Sequence, residues 1–268
     1  MMVVWLEMSA LKVFKIVLIL LLMITSTSFS QELFDDFSGE TLDRSIWKAA
    51  NRKWGEHEAG ISHGGVVPAN VYLKDGKLVL CGNGDLYTGA VKGHGQSQRV
   101  GGAVSTRKRF GPGRYEVCAK IISKLGVLSA FWTFYYKNRD MNHEIDIEIP
   151  ALDSLGNYNL NWGTLANWRG ISADDNSSVN KYLGNIADGN YHIFRFDWIA
   201  AIDGQPSKVA WYVDNRLLYT SSESIPDKPS HFWLGVWFPW WIGSADFQTE
   251  SMSIDWVKIS AISDMVGK

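Results

Sequence analysis

The chain has 268 residues, a length that suits one large domain or two small ones. Its net charge of −2 leaves no footprint for nucleic acid, and nothing in the composition points to an acidic or membrane-surface partner. The departure from ordinary globular composition is aromatic, with 13 Trp in the chain.

The N-terminus reads as an export signal. Lys12 and Lys15 precede an apolar run over residues 16–24, followed by Thr25-Ser26-Thr27-Ser28-Phe29-Ser30. A bilayer-spanning helix needs about 20 apolar residues, more than this run supplies. Small side chains at Ser28 and Ser30 predict cleavage between Ser30 and Gln31, making residues 1–30 a signal peptide and 31–268 one exported domain. An uncleaved anchor helix is the alternative. Cys81 and Cys118 are the two cysteines of the chain, and the sequence leaves open whether they pair.

Beyond the signal, short segments with period-two alternation recur in chain order. They cover residues 102–110, 114–121, 128–135, 143–149, 191–198, 209–213, 232–238 and 252–259. Turn signals separate them, among them Lys74-Asp75-Gly76-Lys77, Gly111-Pro112-Gly113, Asp188-Gly189-Asn190 and Val213-Asp214-Asn215-Arg216. No sustained 3.6-residue period appears. The pattern predicts an all-β fold, an antiparallel β-sandwich of the jelly-roll kind, large enough to use the whole exported segment.

The segment richest in chemistry is His143-Glu144-Ile145-Asp146-Ile147-Glu148-Ile149. On a strand, alternate residues share a face, so Glu144, Asp146 and Glu148 point one way and the three isoleucines the other. Three acids on one face repel, and no Lys or Thr is interleaved to relieve them. Cα144 and Cα148 stand about 13 Å apart on an extended strand, so carboxyls leaning together suit the paired acids of a retaining glycosidase. Crowding would keep one of them protonated. An acidic exposed strand face and a cation site are the bland alternatives, though Asn142, His143 and Pro150 are poor further ligands.

Sugar rings present flat C–H faces that settle on aromatic platforms. Trp132, Tyr135, Trp162, Trp168 and the cluster Trp237-Phe238-Pro239-Trp240-Trp241 are the candidates, with at least one of Trp240 and Trp241 facing outward. Trp47, Trp198, Trp211 and Trp256 lie in or beside apolar alternating runs and read as core. No nucleophile elbow, phosphate loop or zinc-type histidine spacing is present.

Taken in order, these residues resemble glycoside hydrolase family 16. The resemblance runs from Leu33-Phe34-Asp35-Asp36-Phe37 through Phe110-Gly111-Pro112-Gly113-Arg114-Tyr115 and the acidic strand to Ile254-Asp255-Trp256-Val257. It implies a concanavalin-like jelly roll and a retaining endo-β-glucanase or galactanase needing no cofactor for catalysis. It also implies Glu144 as nucleophile, Asp146 as its assistant and Glu148 as acid/base, with Trp132, Tyr135, Asn161 and Trp162 lining the cleft. Members often hold a structural calcium, which here would involve Asp255 and carbonyls near Asp36 and Gly76. The expected partner is a polysaccharide and the expected state a monomer, with no nucleic acid and no membrane after cleavage. Asn142-His143 before the first Glu and Pro150-Ala151 after the last depart from licheninases, leaving β-glucans and galactans both open. A transglycosylase and a non-catalytic lectin on the same scaffold are the other readings.

Overall fold

The computed structural model describes residues 33–54 and 64–262, so the expected signal and its cleavage point lie outside the described residues. By contacts the chain divides into Met1–Ser30 and a compact unit, Gln31–Lys268. Its early strands are β1 (Leu33–Asp35), β2 (Trp47–Ala49), β3 (Val71–Lys74), β4 (Lys77–Asn83), β5 (Gly102–Thr106) and β6 (Gly113–Lys120). The middle of the chain gives β7 (Leu128–Asn138), β8 (Met141–Ile149), β9 (Ala151–Leu152), β10 (Tyr158–Asn159), β11 (Trp162–Arg169) and β12 (Asn176–Tyr182). The last are β13 (His192–Ile199), β14 (Lys208–Val213), β15 (Arg216–Ser221), β16 (His231–Trp237) and β17 (Thr249–Ser260).

These strands pair antiparallel into two sheets. The back sheet has the order β15-β14-β13-β6-β17-β4-β3, with β1 also on β17; the cleft sheet runs β12-β11-β8-β7-β16-β5-β2. β9 and β10 form a separate small hairpin. The expected all-β jelly-roll sandwich is what the chain builds, and helix is limited to three short 3₁₀ turns among the described residues.

Alternation explains why the sheets close on each other. From β8, Ile145, Ile147 and Ile149 are at most 1% exposed and enter the same core as Leu78, Val117, Phe194, Trp211 and Ile254. Each such side chain contributes roughly 1.5–3 kcal/mol of burial. Rings lock the layers: Phe131 lies 5.0 Å from Phe194, and Tyr115 lies 5.3 Å from Phe232. Trp211 donates its indole N–H across the core to the Asp146 carbonyl at 3.0 Å, fixing the acidic strand from beneath. Trp47, Trp198 and Trp211 are buried as expected, whereas Trp256 is half-buried beside a bulge between Ile254 and Trp256. Cys81 and Cys118 are buried free thiols. They sit on β4 and β6 with β17 between, which keeps them from pairing.

Candidate active site

Register places the site. Residues directly opposite across antiparallel strands share a face, so one row crosses the cleft sheet through Lys48, Ser105, Trp233, Trp132, Asp146, Ala166 and Ser178. Glu144 stands opposite Phe134 and Trp168, and Glu148 opposite Ala130 and Thr164. The three acids therefore rise from β8 into a groove walled by rings from its neighbours.

That wall is an aromatic box. Trp132 and Trp233 stack at 5.6 Å and 16°. Trp54 meets Trp132, Trp233 and Trp237 edge-on at 6.0, 5.7 and 6.1 Å. The Arg52 guanidinium lies 5.5 Å over Trp54. Gly235 makes the stacking feasible, because a Cβ there would sit 2.8 Å from the Trp132 ring. Arg52, Trp54, Trp132, Phe134, Glu144, Glu148, Trp233 and Trp237 line an open cavity of about 190 Å³. The indole N–H groups of Trp54 and Trp233 are buried without a partner, which leaves two donors for a ligand.

The carboxyls are strongly perturbed. Asp146 is buried, and Glu144 and Glu148 are half-buried. Burial lifts Glu148 to about 7. Burial, then the charge of Glu148, lifts Glu144 to about 8, while hydrogen bonds from Asp146 and Asn142 pull it back. Asp146 is pushed well up, through burial and then both neighbouring glutamates, and a hydrogen bond from Trp168 opposes the rise. Asp146 thus keeps its proton and donates to Glu144. None of the three has a basic partner among the described residues. Around neutral pH such a cluster holds more than one proton and titrates as a unit.

The other expected residues divide. Trp132 is in the box. Tyr135 is not: it stands opposite His143 on the reverse face, 5.8 Å from that ring and 4.8 Å beneath the Arg109 guanidinium. Phe134 takes its place, because strand alternation puts residue 134 on the same face as Trp132. Asn161 is also corrected. Its carboxamide oxygen accepts the N–H groups of Ile186 and Ala187, tying a loop rather than facing the groove. Trp162 shares the face of Glu148 two residues from Thr164, tilted on Tyr182 at 6.2 Å, on the far side of β8 from the box. Trp240 is 46% exposed, and Trp241 lies flat on Tyr158 at 6.1 Å; neither lines the box. Arg52, Trp54, Phe134 and Trp233 are groove residues without an expectation behind them. Phe134 and Trp233 were recoverable from period-two counting off Trp132 and Trp237; Arg52 and Trp54, outside any alternating run, were not.

Asp255 lies on the back sheet, where the Lys77 ammonium holds its carboxylate and the Cys118 sulfur approaches to 3.9 Å. A calcium ion there would face that ammonium, and calcium sites want six to eight oxygens. In this arrangement the Asp255 carboxylate is paired with an ammonium rather than presented to an ion.

An antiparallel sandwich with an acid cluster set in a tryptophan-walled groove defines a carbohydrate-active jelly roll. The model for glycosyl hydrolases family 16 matches residues 68–258, and the chain belongs to that family. The beta-glucanase of Bacillus licheniformis is 32% identical over 156 residues, covering 56% of this chain and 58% of that enzyme. The beta-glucanase of Paenibacillus macerans is 29% identical over 226 residues, covering 79% and 84% respectively. A prokaryotic beta-1,3-1,4-glucanase (lichenase) derived from a mouse hindgut metagenome shares the fold at a TM-score of 0.66 and 24% identity, over 86% of this chain and 99% of the other. The laminarinase catalytic domain from Thermotoga maritima does so at a TM-score of 0.68 and 19% identity, over 87% and 98%. Among the described residues no helix is long and apolar enough to cross a membrane.

Proposed function

We propose that the chain is an exported, endo-acting β-glucan hydrolase that works by double displacement with retention at the anomeric carbon. The observation that carries the reading is the acid face of β8: Glu144, Asp146 and Glu148 rise together into the tryptophan-walled groove, with Asp146 in a hydrogen bond to Glu144 and burial raising all three. The resemblance to family 16 supports Glu144 as the nucleophile and Glu148 as the acid/base.

In the first step Glu148 gives its proton to the glycosidic oxygen as the bond to the anomeric carbon breaks. The Glu144 carboxylate attacks that carbon from the opposite face, forming a glycosyl-enzyme ester. In the second step water attacks the anomeric carbon, Glu148 takes its proton, and the Glu144 carboxylate leaves. Asp146 offsets charge on Glu144 as it departs, and Trp168 holds Asp146 in place. Two protons on three carboxyls is the productive state.

The endo reading rests on the groove's extent. Beyond the box it continues past Trp233 and Arg52 to Lys48 and His231, and on the other side of β8 it meets Trp168 and Trp162. A polymer can lie across it without presenting an end. The two curated beta-glucanases favour a β-glucan over a galactan. The parent and its Glu144→Gln form should be incubated with mixed-linkage glucan, laminarin, xyloglucan, agarose and carrageenan, and new reducing ends counted. Release from a β-glucan by the parent alone is expected; release from agarose or carrageenan only would move the substrate assignment.

A further inference from the structure

Past the tryptophan box the groove changes character. Lys48, Arg52, Ser105, Arg107, His231 and Trp233 help line a trough of about 470 Å³ that shares Arg52 and Trp233 with the catalytic cavity. Its charged groups are all basic. Lys48 projects from the edge strand β2 opposite Ser105, in the row that leads through Trp233 and Trp132 to Asp146. Four strand-to-strand steps of about 4.8 Å set Lys48 about 19 Å from Asp146.

Several cations elsewhere in the molecule are matched: Arg114 with Asp197, Lys77 with Asp255, Arg99 with Asp85, Arg169 with Asp227. The guanidinium of Arg107 instead donates to the Arg44 carbonyl at 2.5 Å, that of Arg109 to His231 Nε2 at 3.3 Å, and Arg52 lies over Trp54. Among the described residues no carboxylate comes within salt-bridge distance of Lys48, Arg52, Arg107 or Arg109. His231 feels this field, since after burial the charges of Arg109 and Lys48 hold its imidazole below the usual value. A one-signed, partly enclosed trough concentrates ions of the opposite sign. Guanidinium and ammonium groups without carboxylates are donors only, suited to acceptor oxygens that carry negative charge.

We infer that this trough binds anionic substituents, sulfate ester or carboxylate, on the stretch of polysaccharide lying several sugars from the bond cleaved. The inference rests on the glycan-cleaving reading of β8 and narrows its substrate class to acidic or acid-substituted chains. Charge recognition far from β8 would hold the polymer in register while the box and the acids act on its uncharged stretch.

The test uses full-length protein carrying Glu144→Gln, so binding is read apart from turnover. Its retention is measured in gels containing laminarin, carboxymethylated laminarin or sulfated laminarin. Retention about tenfold stronger in both charged gels is expected. The advantage should vanish toward 1 M salt, where the Debye length is about 3 Å, and in Lys48→Gln/Arg107→Gln protein. Strengthening by the sulfated polymer alone would assign the trough to sulfate esters. Equal or weaker retention by the charged polymers at low salt overturns the inference, as does an advantage that the double variant and salt both leave intact. If the double variant fails to fold, the salt series decides. Release of reducing ends from plain laminarin by the parent is scored separately, so failure of the trough and failure of the hydrolase reading are distinguishable.

Discussion

The two outward faces of the sandwich treat charge in opposite ways. On the back sheet, Asp197 is buried but gripped by Arg114 at 2.9 and 3.0 Å and by Arg195 at 3.2 Å; Asp255 has Lys77, and His192 bridges Asp188 and Asp214. On the cleft sheet, three acids on β8 have no basic partner and the bases of the trough no acidic one among the described residues. Trp132 and Trp233 stand between Asp146 and Lys48 in the row across the sheet. Pairing serves the fold, because an unpaired buried charge costs several kcal/mol. Leaving charge unpaired costs stability and creates a group able to move a proton or hold an ion. The difference marks where the chemistry is.

Substitutions on the two faces should therefore have opposite consequences. The largest effect belongs to Glu144→Gln, which should lower kcat/KM on a β-glucan by about 10⁴-fold or more through loss of the nucleophile. It should also raise Tm, since one of three crowded carboxyls is gone. On the back sheet, Arg114→Ala should destabilise by about 2–3 kcal/mol, read from urea unfolding, by stripping Asp197 of its bidentate partner. Its kcat, measured below the unfolding midpoint, should stay near that of the parent. A large loss of kcat with little loss of stability would break the comparison.

The pH dependence of stability is next in size. Folded Glu148 titrates near 7 against an ordinary value of 4.5. A raised carboxyl pKa means the folded state binds the proton more tightly than the unfolded one. Stability from that proton is present below pH 4.5 and is lost as pH rises to about 7. Glu148→Gln should therefore gain in Tm over the parent as pH moves from 4.5 to 7, followed by calorimetry. The same groups predict a bell-shaped kcat/KM. Its limbs belong to the coupled cluster of Glu144, Asp146 and Glu148 and are displaced upward from ordinary carboxyls.

Trp168→Phe keeps an aromatic ring but removes the donor to Asp146, and should lower kcat/KM about tenfold, the worth of roughly one hydrogen bond. The smallest effect is expected at the half-buried Lys77. Lys77→Met should cost under about 1 kcal/mol, and a chelator should leave the parent's Tm unchanged. A Tm that falls on chelation and recovers with calcium would contradict the account of Asp255.

Much of the fold was legible because alternation is a local property. The isoleucines of β8 and the turn residues around it declare a sandwich strand, and the acid face follows by parity. The same rule, applied strictly, selects Phe134 over Tyr135. Asn161 misled because a polar residue beside a binding strand looks available until the Ile186 and Ala187 amides are seen to occupy it. The box and the trough were illegible for a different reason. Trp54 and Trp233 are 179 positions apart, and Lys48, Arg107 and His231 are as scattered. Sheet order alone gathers them, and a net charge of −2 averages the trough away.

The central claim is that Glu144 and Glu148 act as nucleophile and acid/base in a retaining displacement. The most direct measurement is proton NMR of the first product formed from mixed-linkage β-glucan, with Glu144→Gln as the silent control. The account predicts that the β-anomer of the new reducing end appears first and then mutarotates towards the α-anomer. Initial appearance of the α-anomer, or equal activity of the Glu144→Gln protein, would contradict it.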